Sequence, residues 1–82
     1  MKLQHRARLL SSFGRRLERL RLERGLTRSQ FALVSGIDVA NLAKYEKGDR
    51  EPGLAVIMLM SKGLNIDHLE LLDFAFDFEP DH

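Results

Sequence analysis

LTRSQFALVSGIDVANLAKY, residues 26–45, decides the fold. It reads as two short helices joined by a tight turn at Gly36. Thr27 offers a hydroxyl N-cap, and Gln30 lies three residues on, which is capping-box spacing. Phe31, Ala32, Val34 and Ser35 give the inner side of a two-turn helix. Gly36 ends that helix where a left-handed residue is needed, because glycine takes positive φ without a Cβ penalty. Ile37 anchors the turn and Asp38 caps again. A second helix then runs from Val39 to Lys47, until Gly48 stops it. At 100° per residue it has two faces. Leu42 and Tyr45 point one way with Glu46 at the edge, while Val39, Ala40, Ala43, Lys44 and Lys47 point the other. That second face is small, flat and basic, a shape that fits a groove about 12 Å wide.

The segments on either side read as support. Ser11 or Ser12 caps a first helix that runs to about Arg24 and stops at Gly25. Phe13, Leu17, Leu20 and the stem of Arg24 form its buried stripe. Arg15, Arg16 and Arg19 should be solvated, but Arg21 falls beside the stripe. The acid on the inner edge of the reading helix is Glu46, so an Arg21–Glu46 ion pair is expected. Residues 1–12 read either as a basic arm, disordered through about residue 7, or as an extra helical turn that packs Leu9 and Leu10; the arm is the favoured reading, and His5 within it has no ligand partner at useful spacing. Lys47–Gly53 is a loop punctuated by Gly48, Pro52 and Gly53.

A further helix spans Leu54 to about Gly63, with Leu54, Ile57, Met58 and Ser61 as its stripe and Leu64 and Ile66 continuing the core. Ala55, Val56, Leu59 and Met60 leave it apolar nearly all round, so a tail or a second protomer should cover the other side. Asp67 caps a last short helix from His68 to about Asp73, with Leu69, Leu71 and Leu72 inward. In the tail, Phe74, Phe76 and Phe78 alternate with Ala75, Asp77 and Glu79, a period of two that reads as a strand. A helix through Leu71, Phe74, Ala75 and Phe78 is also allowed. Burial against the Leu54–Gly63 helix, in the same chain or across a dimer, is the expected use. Val56, Leu59, Phe74, Phe76 and Phe78 are the candidate dimer or partner contacts.

Bulk properties fit one helical domain. The chain has 82 residues, 44% of them apolar and 30% charged, with no cysteine. Its net charge of +1 conceals a polarity. Residues 1–28 hold nine Lys/Arg against two Glu, whereas residues 65–82 hold six acids and no Lys/Arg. The basic part is where a polyanion would sit. No run reaches the roughly 20 apolar residues of a membrane span. No signal-peptide pattern stands at the N-terminus, so a cytoplasmic location is expected. No metal-ligand spacing, phosphate-cradling loop or nucleophile turn is present, so neither an enzyme nor a cofactor is expected.

FGRRLERLRLERGLTRSQFALVSGIDVANLAKYEKGDREPGLAVIMLMSKGLNIDHLELL, residues 13–72, resembles the Cro/cI-type helix-turn-helix domain of phage repressors, the XRE family. The likeness rests on the first-helix arginine, GLT, the FA pair, SGI at the turn, YEKG closing the reading helix, the proline after the loop and the final LL. It implies an all-α, five-helix domain, a two-fold homodimer on double-stranded DNA, and the buried Arg21–Glu46 pair. It places base contacts at Val39, Ala40 and Lys44, and phosphate contacts at Arg28, Asn41, Lys47 and Arg50. Valine and alanine depart from the polar residues common at the first reading positions. They can touch a thymine methyl but cannot form a bidentate bond to a base. Two functions follow: a DNA-binding transcriptional regulator, or, given the poor donor content of Val39 and Ala40 beside the Phe74, Phe76 and Phe78 strip, an antitoxin-like or adaptor protein-binding module that uses the helix-turn-helix fold.

Overall fold

The computed structural model describes residues 1–77, and among them the chain is all helical. The elements are α1 (Leu3–Glu23), α2 (Arg28–Ser35), α3 (Val39–Lys47), α4 (Leu54–Leu64) and α5 (His68–Leu71). Helices α1 and α3 pack together, α2 packs on α4, and α5 closes one end against α1 and α4. The core between them holds Phe13, Leu17, Leu20, Phe31, Leu42, Met60, Leu64 and Leu71.

Local chemistry sets the boundaries of the central helices. Thr27 accepts from the Gln30 amide at 3.1 Å, and the Gln30 side chain accepts from the Thr27 amide at 2.8 Å, a reciprocal box that satisfies two orphan donors. Asp38 accepts from the Ala40 and Asn41 amides at 3.1 and 3.2 Å. Asp67 caps α5 through the Leu69 amide at 2.7 Å. Gly36 ends α2 at φ 78°, a left-handed conformation that lets the chain turn directly into the Asp38 cap.

Helix α1 departs from the expected arm and Ser11–Ser12 cap. It starts at Leu3, so both serines lie inside it. The reason is tertiary: His5 and Leu10 are buried, Arg6 pairs with Glu51 of the α3–α4 loop at 3.4 Å, and Arg8 donates to the Asp77 carbonyl at 3.2 Å. These contacts order turns that propensity alone would leave frayed. Arg16 is half-buried rather than solvated, and donates to the Glu70 carbonyl at 2.7 Å. Arg24 is exposed, and its Nε donates to the Leu64 carbonyl.

Helix α4 is rotated from the expected stripe. Ile57, Met60, Ser61 and Leu64 are buried, while Leu54 is 80% and Met58 47% exposed. A helix apolar on nearly every side has only a weak sequence preference for its rotation, and packing on α2 decides it. Val34 of α2 and Leu69 and Leu72 around α5 are likewise exposed.

The tail forms no strand among the described residues and does not cover α4. It runs back along α1 of its own chain. Phe74 meets Phe13 edge to face with ring centroids 6.3 Å apart, and the Arg8 guanidinium lies 5.2 Å from the Phe76 centroid. Of the other candidate contact residues, Val56 is partly buried against the core and Leu59 is 37% exposed. Phe78 lies outside the described residues.

The tightest approach in the core is at Gly14. A Cβ there would sit 2.8 Å from the Tyr45 carbonyl oxygen and closer still to that of Glu46, so the α1–α3 crossing needs glycine. Alanine would gain about 1 kcal/mol of helix propensity but push the two backbones apart. Gly14→Ala is therefore expected to lose about 1–3 kcal/mol net, the usual range for overpacking, in urea unfolding. Unchanged or raised stability would contradict this crossing.

Candidate nucleic-acid interface

Helix α3 is held by one side and leaves the other open. Leu42, Tyr45 and Glu46 are buried, whereas Val39, Ala40, Lys44 and Lys47 are exposed. Asn41 and Ala43 are half-buried at the boundary. The open side therefore carries two small apolar side chains and two lysines on a convex surface. Both lysines fall in the last turn, where a cation is favoured by the helix dipole. Arg50, from the loop after α3, donates to Asn41 Oδ1 at 2.6 Å, so these two polar groups form one unit beside the helix.

Beneath this face lies an ionic cluster. Arg21 makes a two-point contact with Glu46, Nε to Oε2 at 2.7 Å and Nη2 to Oε1 at 3.1 Å. Its Nη1 donates to the Leu26 carbonyl at 2.8 Å, which ties in the segment before α2. The Arg21 side chain is 8% exposed and that of Glu46 fully covered. A second guanidinium completes the site: Arg28 Nε donates to Glu46 Oε1 at 3.0 Å, and its Nη2 lies 3.6 Å from Glu18 Oε2.

The expected phosphate contacts thus divide. Lys47 is exposed and Arg50 is exposed with one bond to Asn41, but Arg28 is engaged by two carboxylates. Its guanidinium braces Glu46 from the start of α2 while its side chain stays 40% exposed. Sequence reading missed this role because Glu18 belongs to another helix. The available signal was the position of Glu18 one turn before Arg21 on the same side of α1.

Among the described residues no group of three His, Cys, Asp or Glu side chains could hold a metal ion. No helix among them is long and apolar enough to cross a membrane.

The HTH_3 helix-turn-helix family model matches residues 17–71, which contain all of α2 to α5 and the last third of α1. The chain belongs to the HTH_3 helix-turn-helix family. It is 36% identical over 74 residues to the HTH-type transcriptional repressor RghR of Bacillus subtilis, covering 89% of this chain and 55% of that protein. The chain therefore spans little more than half of RghR. It is 39% identical over 59 residues to the uncharacterized HTH-type regulator YazB of the same organism, covering 72% of this chain and 86% of YazB. Among solved structures it is similar to the restriction-modification controller protein C.AhdI from Aeromonas hydrophila. The TM-score is 0.74 at 35% identity, over 76% of this chain and 94% of that one. An HTH_3 family transcriptional regulator from Vibrio cholerae superposes with TM-score 0.78 at 25% identity, over 82% of this chain and 38% of that one.

Within this HTH_3 domain the two arginines on Glu46 should differ in weight. Glu46→Ala leaves Arg21 covered and without its carboxylate, and is expected to cost about 3–5 kcal/mol in urea unfolding. Arg28→Gln removes a side chain that is 40% exposed, and its loss should stay below about 1 kcal/mol. Equal losses from the two would contradict the division between a buried anchor and a partly exposed brace.

Proposed function

We propose that this chain is a sequence-specific or semi-specific DNA-binding transcriptional regulator that acts as a homodimer, without catalytic activity, in the cytoplasm. The observation that carries this reading is the open, convex, lysine-bearing side of α3 set on a buried ionic base. Presented to the major groove, Val39 and Ala40 lie against thymine methyl groups and Lys44 reaches a guanine edge. Lys47, Arg50 and Asn41 follow the adjacent backbone and set the register. The relatives named as transcriptional regulators and controller proteins support the same assignment.

Dimerisation is supported by apolar surface on α4 and α5. Leu54, Met58, Leu59, Leu69 and Leu72 are all exposed, at 80, 47, 37, 68 and 44%. Leu54, Met58 and Leu59 on α4, Leu69 on α5 and Leu72 just after it are the apolar side chains such an interface would use. A two-fold pair built there would present its reading helices to half-sites about one helical turn apart. The adaptor reading drew on the poor donor content of Val39 and Ala40 and on the phenylalanine tail, and of that tail Phe74 and Phe76 lie on α1 of the same chain.

With one polar base-reading side chain on α3, discrimination between sites rests heavily on Lys44. Lys44→Ala is expected to lose about 1–3 kcal/mol at a preferred site and much less at random DNA, in shift assays at fixed salt. Equal losses at both would remove Lys44 from base reading. Affinity for any duplex should fall steeply with salt as counterions are released, and a flat salt profile would sink the proposal as a whole. The double substitution Met58→Glu, Leu69→Glu should give a folded monomer in sedimentation equilibrium with a weakened shift. A dimer that survives it would place the interface elsewhere.

A further inference from the structure

The N-terminal arginines lie on the wrong side of α1 to serve the reading helix. Gly14 marks the line along which α1 touches α3. At 100° per residue, Ser12, Arg15 and Arg19 fall about 100–160° around the helix from Gly14. Helix α1 itself, about 10 Å across, stands between them and α3. A duplex seated on Val39, Ala40 and Lys44 does not meet this stripe.

The stripe instead forms one wall of a pocket. Ser12, Arg15, Arg16 and Arg19 line it from α1, and Asp73, Phe74 and Ala75 line it from the returning tail. Its volume is about 390 Å³, inside the range of about 300–1,000 Å³ usual for small-molecule sites. Three guanidiniums face one carboxylate, so the lining keeps a positive excess. Arg16 is fixed by its bond to the Glu70 carbonyl, yet its Nε is buried and makes no hydrogen bond among the described residues. A buried N–H left unmatched is uncommon in a folded chain. Arg15 makes one long contact, 3.5 Å to Ser12 Oγ, and Arg19 bonds Glu23 at 3.1 Å in an exposed pair on the same helix. Both are weak, exposed engagements that an incoming anion can displace.

We infer that this pocket binds a small phosphomonoester, with the phosphoryl group on Arg15, Arg16 and Arg19 and the organic part against Phe74 and Ala75. Planar guanidiniums suit phosphate because each can offer two parallel N–H donors. The Ser12 hydroxyl supplies a further donor. Because the tail forms the opposite wall, an occupant bridges α1 and residues 73–75 and holds the tail down. The site is independent of the regulator reading, since it shares no residue with the open side of α3.

The full-length chain titrated with phenyl phosphate, followed by backbone amide and arginine Nε–H resonances at constant ionic strength, tests this. The expected result is a saturating shift confined to residues 12–19 and 73–75. Affinity should fall at least tenfold in Arg15→Gln, Arg19→Gln, a pair of exposed positions where glutamine keeps the helix. Inorganic phosphate should act at the same residues and phenol should not. Shifts that do not saturate, persist unchanged in the double variant, or appear equally with phenol would overturn the site. Shifts centred on residues 44–50 would assign the phosphate to the reading face and overturn it as well. A short DNA duplex that moves the pocket resonances would make the arginines a backbone contact, and would overturn a free phosphomonoester as their ligand.

Discussion

One carboxylate holds the arrangement together. Glu46 sits on the inner edge of α3 with its side chain fully covered, and an ionised group in that position loses several kcal/mol of hydration. Only close partners can offset this, and the domain supplies two. Arg21 brings α1 to the carboxylate by a two-point contact and reaches the chain before α2 through the Leu26 carbonyl. Arg28 brings the start of α2 to the same oxygen. Three helices are thus tied to one group on the helix whose outer face matters. A buried ion pair is weak evidence for net stability, since apolar substitutes often serve as well. Its particular contribution is geometric: α3 cannot rotate or slide without uncovering a charge. Gly14 acts in the same sense, because a close backbone crossing leaves no slack between α1 and α3.

A rigidly placed reading helix suits the side chains that it carries. Val39 and Ala40 offer no hydrogen bond to a base, so they can discriminate only by fit, through methyl contact and by excluding what does not match. Fit is sensitive to small displacements in a way that a long flexible donor is not. Arg50 is itself oriented by Asn41, so the neighbouring polar group is held at a fixed place beside the helix. In the proposed role such a surface would meet local duplex shape as well as base edges.

The parts of the fold that were legible in the sequence are those fixed by neighbours in the chain. Thr27 with Gln30, Asp38, Gly36, Gly48 and Asp67 each define a helix end within four residues, and α2, α3 and α5 begin there. The one-sidedness of Arg21 and Glu46 was visible from helical spacing alone, and the two side chains meet. What was illegible depends on distant contacts. Ser11 and Ser12 look like caps, but Glu51 and Asp77 stabilise the two turns before them. The rotation of α4 had only a weak sequence signature because apolar residues nearly surround it, and Met60 rather than Met58 turned inward. The alternating phenylalanines suggested a strand, yet among the described residues there is no strand edge to pair with, and Phe74 packs on Phe13 of α1. The bracing role of Arg28 needed Glu18 to be known as a neighbour, and nothing local links them.

The fold also redistributes the charge asymmetry that first suggested a polyanion partner. Nine cations precede residue 29, a count that on its own would predict a broad basic footprint. Inside the domain most of them are spoken for. Arg21 and Arg28 neutralise Glu46, Arg6 faces Glu51, Arg16 and Arg24 donate to backbone carbonyls, and Arg8 engages the tail. Arg15 and Arg19 point away from α3 altogether. The cations standing beside the open face come instead from Lys44, Lys47 and Arg50, within residues 29–64, where four Lys/Arg balance four Asp/Glu. Counterion release counts only cations that reach phosphate, so on the proposed reading Lys47 and Arg50 would weigh more in it than the arginine-rich beginning. Net charge by segment located a basic helix; packing engaged most of its cations and left the open basic side on α3 instead.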